Sequence, residues 1–521
     1  MVVHGMRSHK SGLLSCVTGH NTPPSLFAHR SSRTNRHFSV CPQPMPSTHP
    51  LDLTEILLLV IAYLPLKRLP ACARVSKTWY QACIPVIWEN ISFYKDPKPN
   101  LIQSHSHLVK KVKAGRMSEE YSTLRLSNLD SFELGCTGGL SYNLPRTVQF
   151  IMEHPTITRL SLEYIYQECP PEFWDALLGF PHLRILFISS RNIFGTNPPD
   201  KFWQLCTRLE RLEIVVSYQS SLNMKIPPGE FPSIKHLGVE GCNLRNVPLF
   251  INFIRRCPRL TSIRWRSIFD DGTFLSSLAE LLETKALPDM EHLVAGAKKV
   301  TNGTLTKVIQ GMSRINTFLI SVPEDAFKLD FATLFQPHFS SLRVLKMSSG
   351  KGVKSRLAQD VMSSCPLLEK LDVPSVDAIV IAEGKPWVCL RLKSLDMGIY
   401  FDPPSTLSHL QPLVFDKLSK LTRLERWYCP RPVTPGINQK NGTGIDLRIE
   451  NGLNKLSTLW LIRDVSIHYT DQEMGDAEVD WILQHWKHLV KIGMVLNKRD
   501  NAVGKALRVR MTERGISVPY Q

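Results

Sequence analysis

The chain has 521 residues, 43% of them hydrophobic and 21% charged, with a formal net charge of +17. That length carries a large core or several domains and the composition is that of a folded chain, while no apolar run approaches the roughly 20 residues that cross a bilayer. Twelve cysteines without one C-x-x-C leave neither a zinc-ligand spacing nor a compact disulfide framework, so reduced intracellular thiols are the reading. The positive excess fits basic surface spread over the fold or a surface for an acidic partner.

Residues 1–48 contain no Asp or Glu and carry Arg7, Lys10, Arg30, Arg33 and Arg36 among Ser, Thr, Pro and His. They have no helical or strand period, which predicts a disordered basic tail. The same composition is that of a mitochondrial presequence, so organelle targeting is the alternative to a cytoplasmic or nuclear protein.

Residues 49–94 change character. An apolar helix opens at Leu53-Thr54-Glu55-Ile56 and ends at Leu64-Pro65; a second segment runs from Leu69 to Trp79, and a third carries Ile84, Val86, Ile87 and Trp88. Pro65, Pro70 and Pro85 break the stretch into short helices. Its apolar face is larger than three short helices bury among themselves, which predicts either a partner surface or a helical cap on a larger neighbouring domain. The stretch resembles an F-box: that family opens L-P-x-E-[IL], continues V-[CS]-x-x-W and closes on an L-W-like pair, matched here by Leu53 to Ile56, Val75-Ser76-Lys77-Thr78-Trp79 and Ile87-Trp88. Thr54 stands where the family usually has proline, and Arg68 where an acidic residue usually precedes the leucine, here Leu69.

Residues 95–120 form a basic link. Val109/Val112/Ala114 and Tyr121/Leu124/Leu126 each show an apolar–two–apolar–one–apolar pattern, too close together for both to be full repeats. From Ile157/Leu160/Leu162 the pattern becomes regular. It returns at Leu183, Leu209, Ile234, Leu260, Met290, Ile315, Leu342, Leu368 and Leu392 in steps of 24–30 residues. One match has a chance probability of about 0.08 in so apolar a chain; the even spacing is the signal. Looser copies occur at Leu421/Leu424, Leu456/Leu459/Leu461 and Leu489/Ile492/Met494.

This is the leucine-rich-repeat period. In a strand the second and third members point inward together, and one strand cannot bury that face alone; stacked copies form a parallel sheet with a continuous core. Between strands the spacing turns helical, as at Phe173/Leu177/Leu178, Phe250/Ile251/Ile254, Leu275/Leu278/Leu281/Leu282 and Leu357/Val361/Met362. The predicted fold is α/β: a horseshoe solenoid of about 12–14 repeats over residues 121–497, a parallel sheet with convex helices, preceded by the small all-helical segment. A Pro/Gly-rich insertion interrupts it near 430–452, and 498–521 are predicted to cap the open end.

The order of F-box, link and repeats resembles F-box/leucine-rich-repeat proteins of the fungal kind. That resemblance implies a substrate receptor of a Skp–cullin–F-box ubiquitin ligase. Leu53, Ile56, Leu69, Val75 and Trp79 would form or support the apolar surface for a Skp-family adaptor. The alternative is a leucine-rich-repeat scaffold with no ligase role, serving an acidic partner. Neither H-E-x-x-H, G-x-x-x-x-G-K-[ST] nor G-x-S-x-G occurs, and His485 and His488 lack companion ligands, so no catalysis, metal or cofactor is expected.

The target is expected on the concave face, where outward residues include Arg211, Glu213, His236, Arg264, Arg266, His292, Lys346 and Trp460. Their mixed sign argues against a nucleic-acid track. Arg264 and Arg266, near Arg255, Arg256 and Arg259, are predicted to make a basic patch for an acidic or phosphorylated target segment.

Overall fold

The structure, a computed structural model, describes residues 54–518 apart from 94–97, 116, 136–143, 166–168, 170, 191–199, 217–225, 242–246, 268–270, 297–299, 322–329, 349–354, 403, 431–443, 469–471, 495 and 498–500. The basic tail at 1–48, Leu53 and most of the Pro/Gly-rich stretch therefore lie outside the described residues. The chain divides into two compact units, Met1–Tyr63 and Leu64–Gln521.

In the first unit the described element is one helix, α1 (Thr54–Tyr63). In the second, Pro65 leads into a 3-10 turn and α2 (Leu69–Cys72), whose first turn holds Pro70 where no backbone donor is needed. Ser76 starts α3 (Lys77–Glu89), its Oγ accepting a hydrogen bond from the Trp79 backbone at 3.2 Å.

The helix α3 passes directly into a parallel sheet that has sixteen strands among the described residues, in strict sequence order. They are β1 (Asn90–Ser92), β2 (Lys111–Ala114), β3 (Ser131–Gly135), β4 (Arg159–Ile165), β5 (Ile185–Ser190), β6 (Arg211–Val216), β7 (His236–Glu240) and β8 (Ser262–Arg266). Then come β9 (His292–Gly296), β10 (Thr317–Ser321), β11 (Val344–Ser348), β12 (Lys370–Asp377), β13 (Ser394–Tyr400), β14 (Arg426–Cys429), β15 (Asp464–Ile467) and β16 (Lys491–Ile492). Parallel neighbours need a crossover, and helices such as Pro171–Leu178, Val247–Arg255, Thr273–Glu283 and Ser355–Ser364 supply it.

From Ile157 to Met397 the inward pattern holds throughout: every apolar member of the ten regular repeats is buried, Leu345 and Met347 completely. The helices bury the faces their spacing predicts, Leu275, Leu278, Leu281 and Leu282 among them. Trp265, a bulky inward strand residue, stacks flat on Phe274 at 4.3 Å.

A repeated backbone device fixes each strand's start. The Thr158 carbonyl accepts from the N–H groups of both Arg184 and Ile185, at 2.9 and 3.0 Å. Glu210 does the same for Lys235 and His236, Thr261 for Glu291 and His292, and Arg343 for Glu369 and Lys370. These strand starts are thereby tied to the repeat before them.

Three repeats correct the sequence reading. Val109/Val112/Ala114 is a strand, but Tyr121 lies in the helical turn Glu119–Ser122, and the next strand uses Leu129, Phe132 and Leu134. Near the end, β14 is built on Leu424/Trp427/Cys429 and β15 on Ile462/Val465/Ile467, not on the pair Leu421/Leu424 and the triplet beginning at Leu456. Leu421, Leu456 and Leu459 are buried in the turns that lead to those strands, and a turn with apolar residues three apart imitates the template.

Before β15 the chain lacks a regular crossover helix among the described residues, and two buried glutamines hold it instead. Gln411 Nε2 donates to the carbonyls of Asp446 and Asn451 at 2.7 and 2.8 Å, and its Oε1 accepts from Asp446 N at 2.9 Å. Gln472 accepts from Leu447 N at 2.8 Å and donates to the Ile445 carbonyl at 2.6 Å. The last edge of the sheet is covered by Ser517, bonded to Ile492 N and the Val490 carbonyl, with Leu507 of the helix Asn501–Glu513 buried beside the core.

Candidate interaction surfaces

Two surfaces are candidates: the short helices at the start and the open face of the sheet. In α1, Leu57 and Ile61 stand one turn apart and are buried, Ile56 is half-buried, and Leu58, Leu59 and Tyr63 are exposed by 48%, 64% and 88%. A helix apolar all round cannot satisfy every face with one packing side, so these exposed side chains are the feature that needs covering.

In residues 64–94 the resemblance-derived positions separate. Leu69 is buried, Trp79 half-buried, and Val75, in the turn between α2 and α3, is 69% exposed. Leu66 and Tyr80 are also exposed. Leu58, Leu59, Tyr63, Leu66 and Tyr80 were not singled out by the motif. The signal that could have found them is the absence of any polar stripe between Ile56 and Leu64.

On the open face, side chains form rows running across the strands. The middle row passes Lys113, Glu133, Ser161, Phe187, Glu213, Gly238, Arg264, Val294, Leu319, Lys346, Asp372, Asp396 and Tyr428. It is largely self-neutralised. Lys113 pairs with Glu133 and Lys346 with Asp372. Burial, then the neighbouring Asp372, push Asp396 up to about 7, with Lys346 opposing.

The expected basic patch at Arg264 and Arg266 is therefore corrected. Arg264 pairs with Glu213 at 3.3 Å and Arg266 with Glu240 at 3.6 Å, while Arg256 donates to the Pro227 carbonyl. Cross-strand acids lie within reach because neighbouring strands stand about 4.8 Å apart. Trp460 is also relocated: it sits in the turn before β15, 53% exposed and 6.2 Å from the His488 ring, not on a strand.

His236 belongs to the row where the strands begin. Burial, then Arg211, His292 and Lys235, hold its imidazole below the usual range, and burial does the same to His292. The cysteines Cys257 and Cys365 are buried, with thiols pushed up to about 12 by burial, as packing residues require. Among the described residues no group of three His, Cys, Asp or Glu is placed to hold a metal ion. His485 instead stacks on Trp481 at 4.4 Å.

Comparison with known proteins matches the F-box-like family model to residues 54–94. No curated protein matches the chain. Among solved structures, a chain of the yeast Rad7 and Elc1 complex is 12% identical, with 90% of this chain and 93% of that one covered and a TM-score of 0.36. An internalin from Listeria monocytogenes is 13% identical over 81% and 95%, with a TM-score of 0.35. A TLR13–ssRNA13 complex is 13% identical over 74% of this chain and 60% of that one, with a TM-score of 0.33. The chain thus carries an F-box-like domain at residues 54–94, followed by a leucine-rich-repeat solenoid.

Proposed function

We propose that this protein is the substrate-recognition subunit of a Skp–cullin–F-box ubiquitin ligase. The F-box-like segment binds a Skp-family adaptor, and the open face of the repeat sheet holds the target. The observation that carries the reading is the F-box-like match at residues 54–94, where Leu59 and Tyr63 on α1 and Val75 in the turn after α2 are exposed. The chain contributes proximity: a target held beside the ligase meets it at raised effective concentration. No side chain of this subunit is required to react.

The test is copurification of the full chain with a Skp-family adaptor and a cullin. Capture of both in stoichiometric amounts is expected. A folded chain that captures no adaptor would sink the reading and leave a repeat scaffold without a ligase role.

A further inference from the structure

The first row of the open face, where the strands begin, differs from its neighbours. It passes Lys111, Ser131, Arg159, Ile185, Arg211, His236, Ser262, His292, Thr317, Val344 and Lys370, a sequence of basic and small or neutral side chains with no acid. Lys111, Arg159 and Lys370 are exposed and, among the described residues, have no ion-pair partner. The rows on either side behave oppositely. Lys235 pairs with Glu210 and Arg343 with Glu369 on one side; Arg264 pairs with Glu213 and Lys346 with Asp372 on the other. The sole acid further along, Asp464, stands between Arg426 and Lys491.

We infer that this row is the docking track for an extended, carboxylate-rich segment of a partner protein, laid across the strands. The inference rests on the reading that the repeats are the recognition surface. Lys111 and Arg159 stand on alternate strands, so these two cations are about 9.6 Å apart at 4.8 Å per strand, and Arg211, two strands further on, is already paired with Glu213. The 9.6 Å step, about three residues of an extended chain, sets the spacing of the acids. Small side chains such as Ser131 and Ser262 fill the intervals and leave room for the residues between the acids. The backbone at Arg159 and Lys370 is tied in place, because their N–H groups donate to the preceding repeat's carbonyls, Asp130 at 3.1 Å and Arg343 at 3.0 Å. With the backbone fixed, only side-chain freedom of these cations is lost when anions arrive.

The track is one residue wide, and this decides the class of partner. The middle row adds Glu133, Glu213, Asp372 and Asp396, and the far row Glu163 and Glu240. A nucleic acid would lie over those carboxylates, and the rings the basic row offers for bases to stack on, His236 and His292, are both half-buried. An extended peptide with its acids along one edge avoids both obstacles.

The experiment uses the purified full chain and a fluorescein-labelled peptide of about 15 residues with Glu at every third position and Ser between, long enough to follow most of the row. Fluorescence anisotropy gives its affinity beside that of a Gln-for-Glu peptide and a single-stranded oligonucleotide of equal charge. The Glu peptide is expected to bind in a salt-sensitive way and the Gln peptide to fail. Arg159→Glu with Lys370→Glu should weaken binding about tenfold or more, whereas Arg356→Glu with Lys505→Glu, placed on helices, should change it less than about twofold. Arg159→Gln with Lys370→Gln, which breaks no ion pair, gives an intermediate loss and serves if the charge reversal disturbs folding. Equal losses in both double variants, equal binding of the Gln peptide, or an oligonucleotide bound more tightly through Arg159 and Lys370 would each overturn the inference. Adaptor capture by the same variants is measured separately: its failure counts against the ligase reading, and failure of peptide binding counts against the track.

Discussion

Glu213 and Arg264 meet across Gly238: Arg264 Nη1 donates to Glu213 Oε2 at 3.3 Å, although the residues are 51 apart in sequence and two strands apart in the sheet. Gly238 makes the pairing possible, because a Cβ there would stand 2.8 Å from Glu213 Cγ. The same carboxylate binds Arg211, so one acid is shared by two cations.

Gly238→Ala tests this arrangement. The added methyl group must push Glu213 aside, which loosens both ion pairs. The expected cost is about 1 kcal/mol, since the obstructing side chain is flexible. A urea midpoint reads it, and an unchanged midpoint would mean that Glu213 has another low-energy route to Arg264.

Leu345→Asp tests the solenoid core. Leu345 is fully buried on β11, between Phe318 and Leu371 on the adjacent strands. A carboxylate there has no partner, and the expected loss is about 4 kcal/mol or more. Repeats depend on their neighbours, so amide exchange should accelerate in β10 and β12 as well as in β11. Acceleration confined to β11 would contradict that dependence.

The repeat core was legible in the sequence because its cause is local. Leu160 and Leu162, or Leu395 and Met397, declare their inward direction by strand alternation alone, and an even period repeats the statement ten times. Legibility fell where turns imitate strands: Leu421 and Leu456 are as apolar and as buried as true first members, yet they precede the strand start. The open face was less legible, because pairing there depends on cross-strand register. Arg264 and Arg266 read as a free basic patch until Glu213 and Glu240 were placed beside them. The unpaired row at Lys111, Arg159 and Lys370 emerges only when residues from separate repeats are aligned.

Asp396 predicts a dependence on pH. Burial first, and Asp372 second, raise its carboxyl from the ordinary 3.8 to about 7. The folded protein therefore favours the protonated form more than the unfolded chain does. The associated stability is fully present below the ordinary value and is lost as pH rises through about 7. Asp396→Asn should flatten the fall in denaturant midpoint between about pH 4 and pH 7 and raise the midpoint at the upper end. An equally steep fall in the variant would assign the dependence to other groups.

Gln411→Leu addresses the irregular segment before β15. The amide satisfies two carbonyls and one N–H of residues 446–451, and Gln411 is wholly buried. Leucine fits the volume but leaves those backbone groups unpaired, at an expected cost of about 2–4 kcal/mol. Limited proteolysis should then cut between Asp446 and Thr458 at denaturant concentrations that leave the wild type intact. Gln472→Leu should act in the same direction through Ile445 and Leu447.

Leu59 and Leu69 separate binding from folding in the F-box-like segment. Leu59 is 64% exposed on α1, whereas Leu69 is 1% exposed on α2. Leu59→Glu removes no buried contact, so the melting temperature should stay within the scatter of surface substitutions. If α1 faces the adaptor, the same change puts a charge into an apolar interface and should weaken adaptor binding by about 2 kcal/mol or more, beyond tenfold in Kd. Leu69→Ala should do the reverse in order of cause: a cavity costs about 2–4 kcal/mol of stability, and adaptor binding falls only as folded protein is lost. Titration calorimetry against a purified Skp-family adaptor, beside thermal melts of both variants, distinguishes the two. Full adaptor affinity in Leu59→Glu, with folding intact, would remove α1 from the interface and leave Leu66, Val75 and Tyr80 as the apolar side chains to test next.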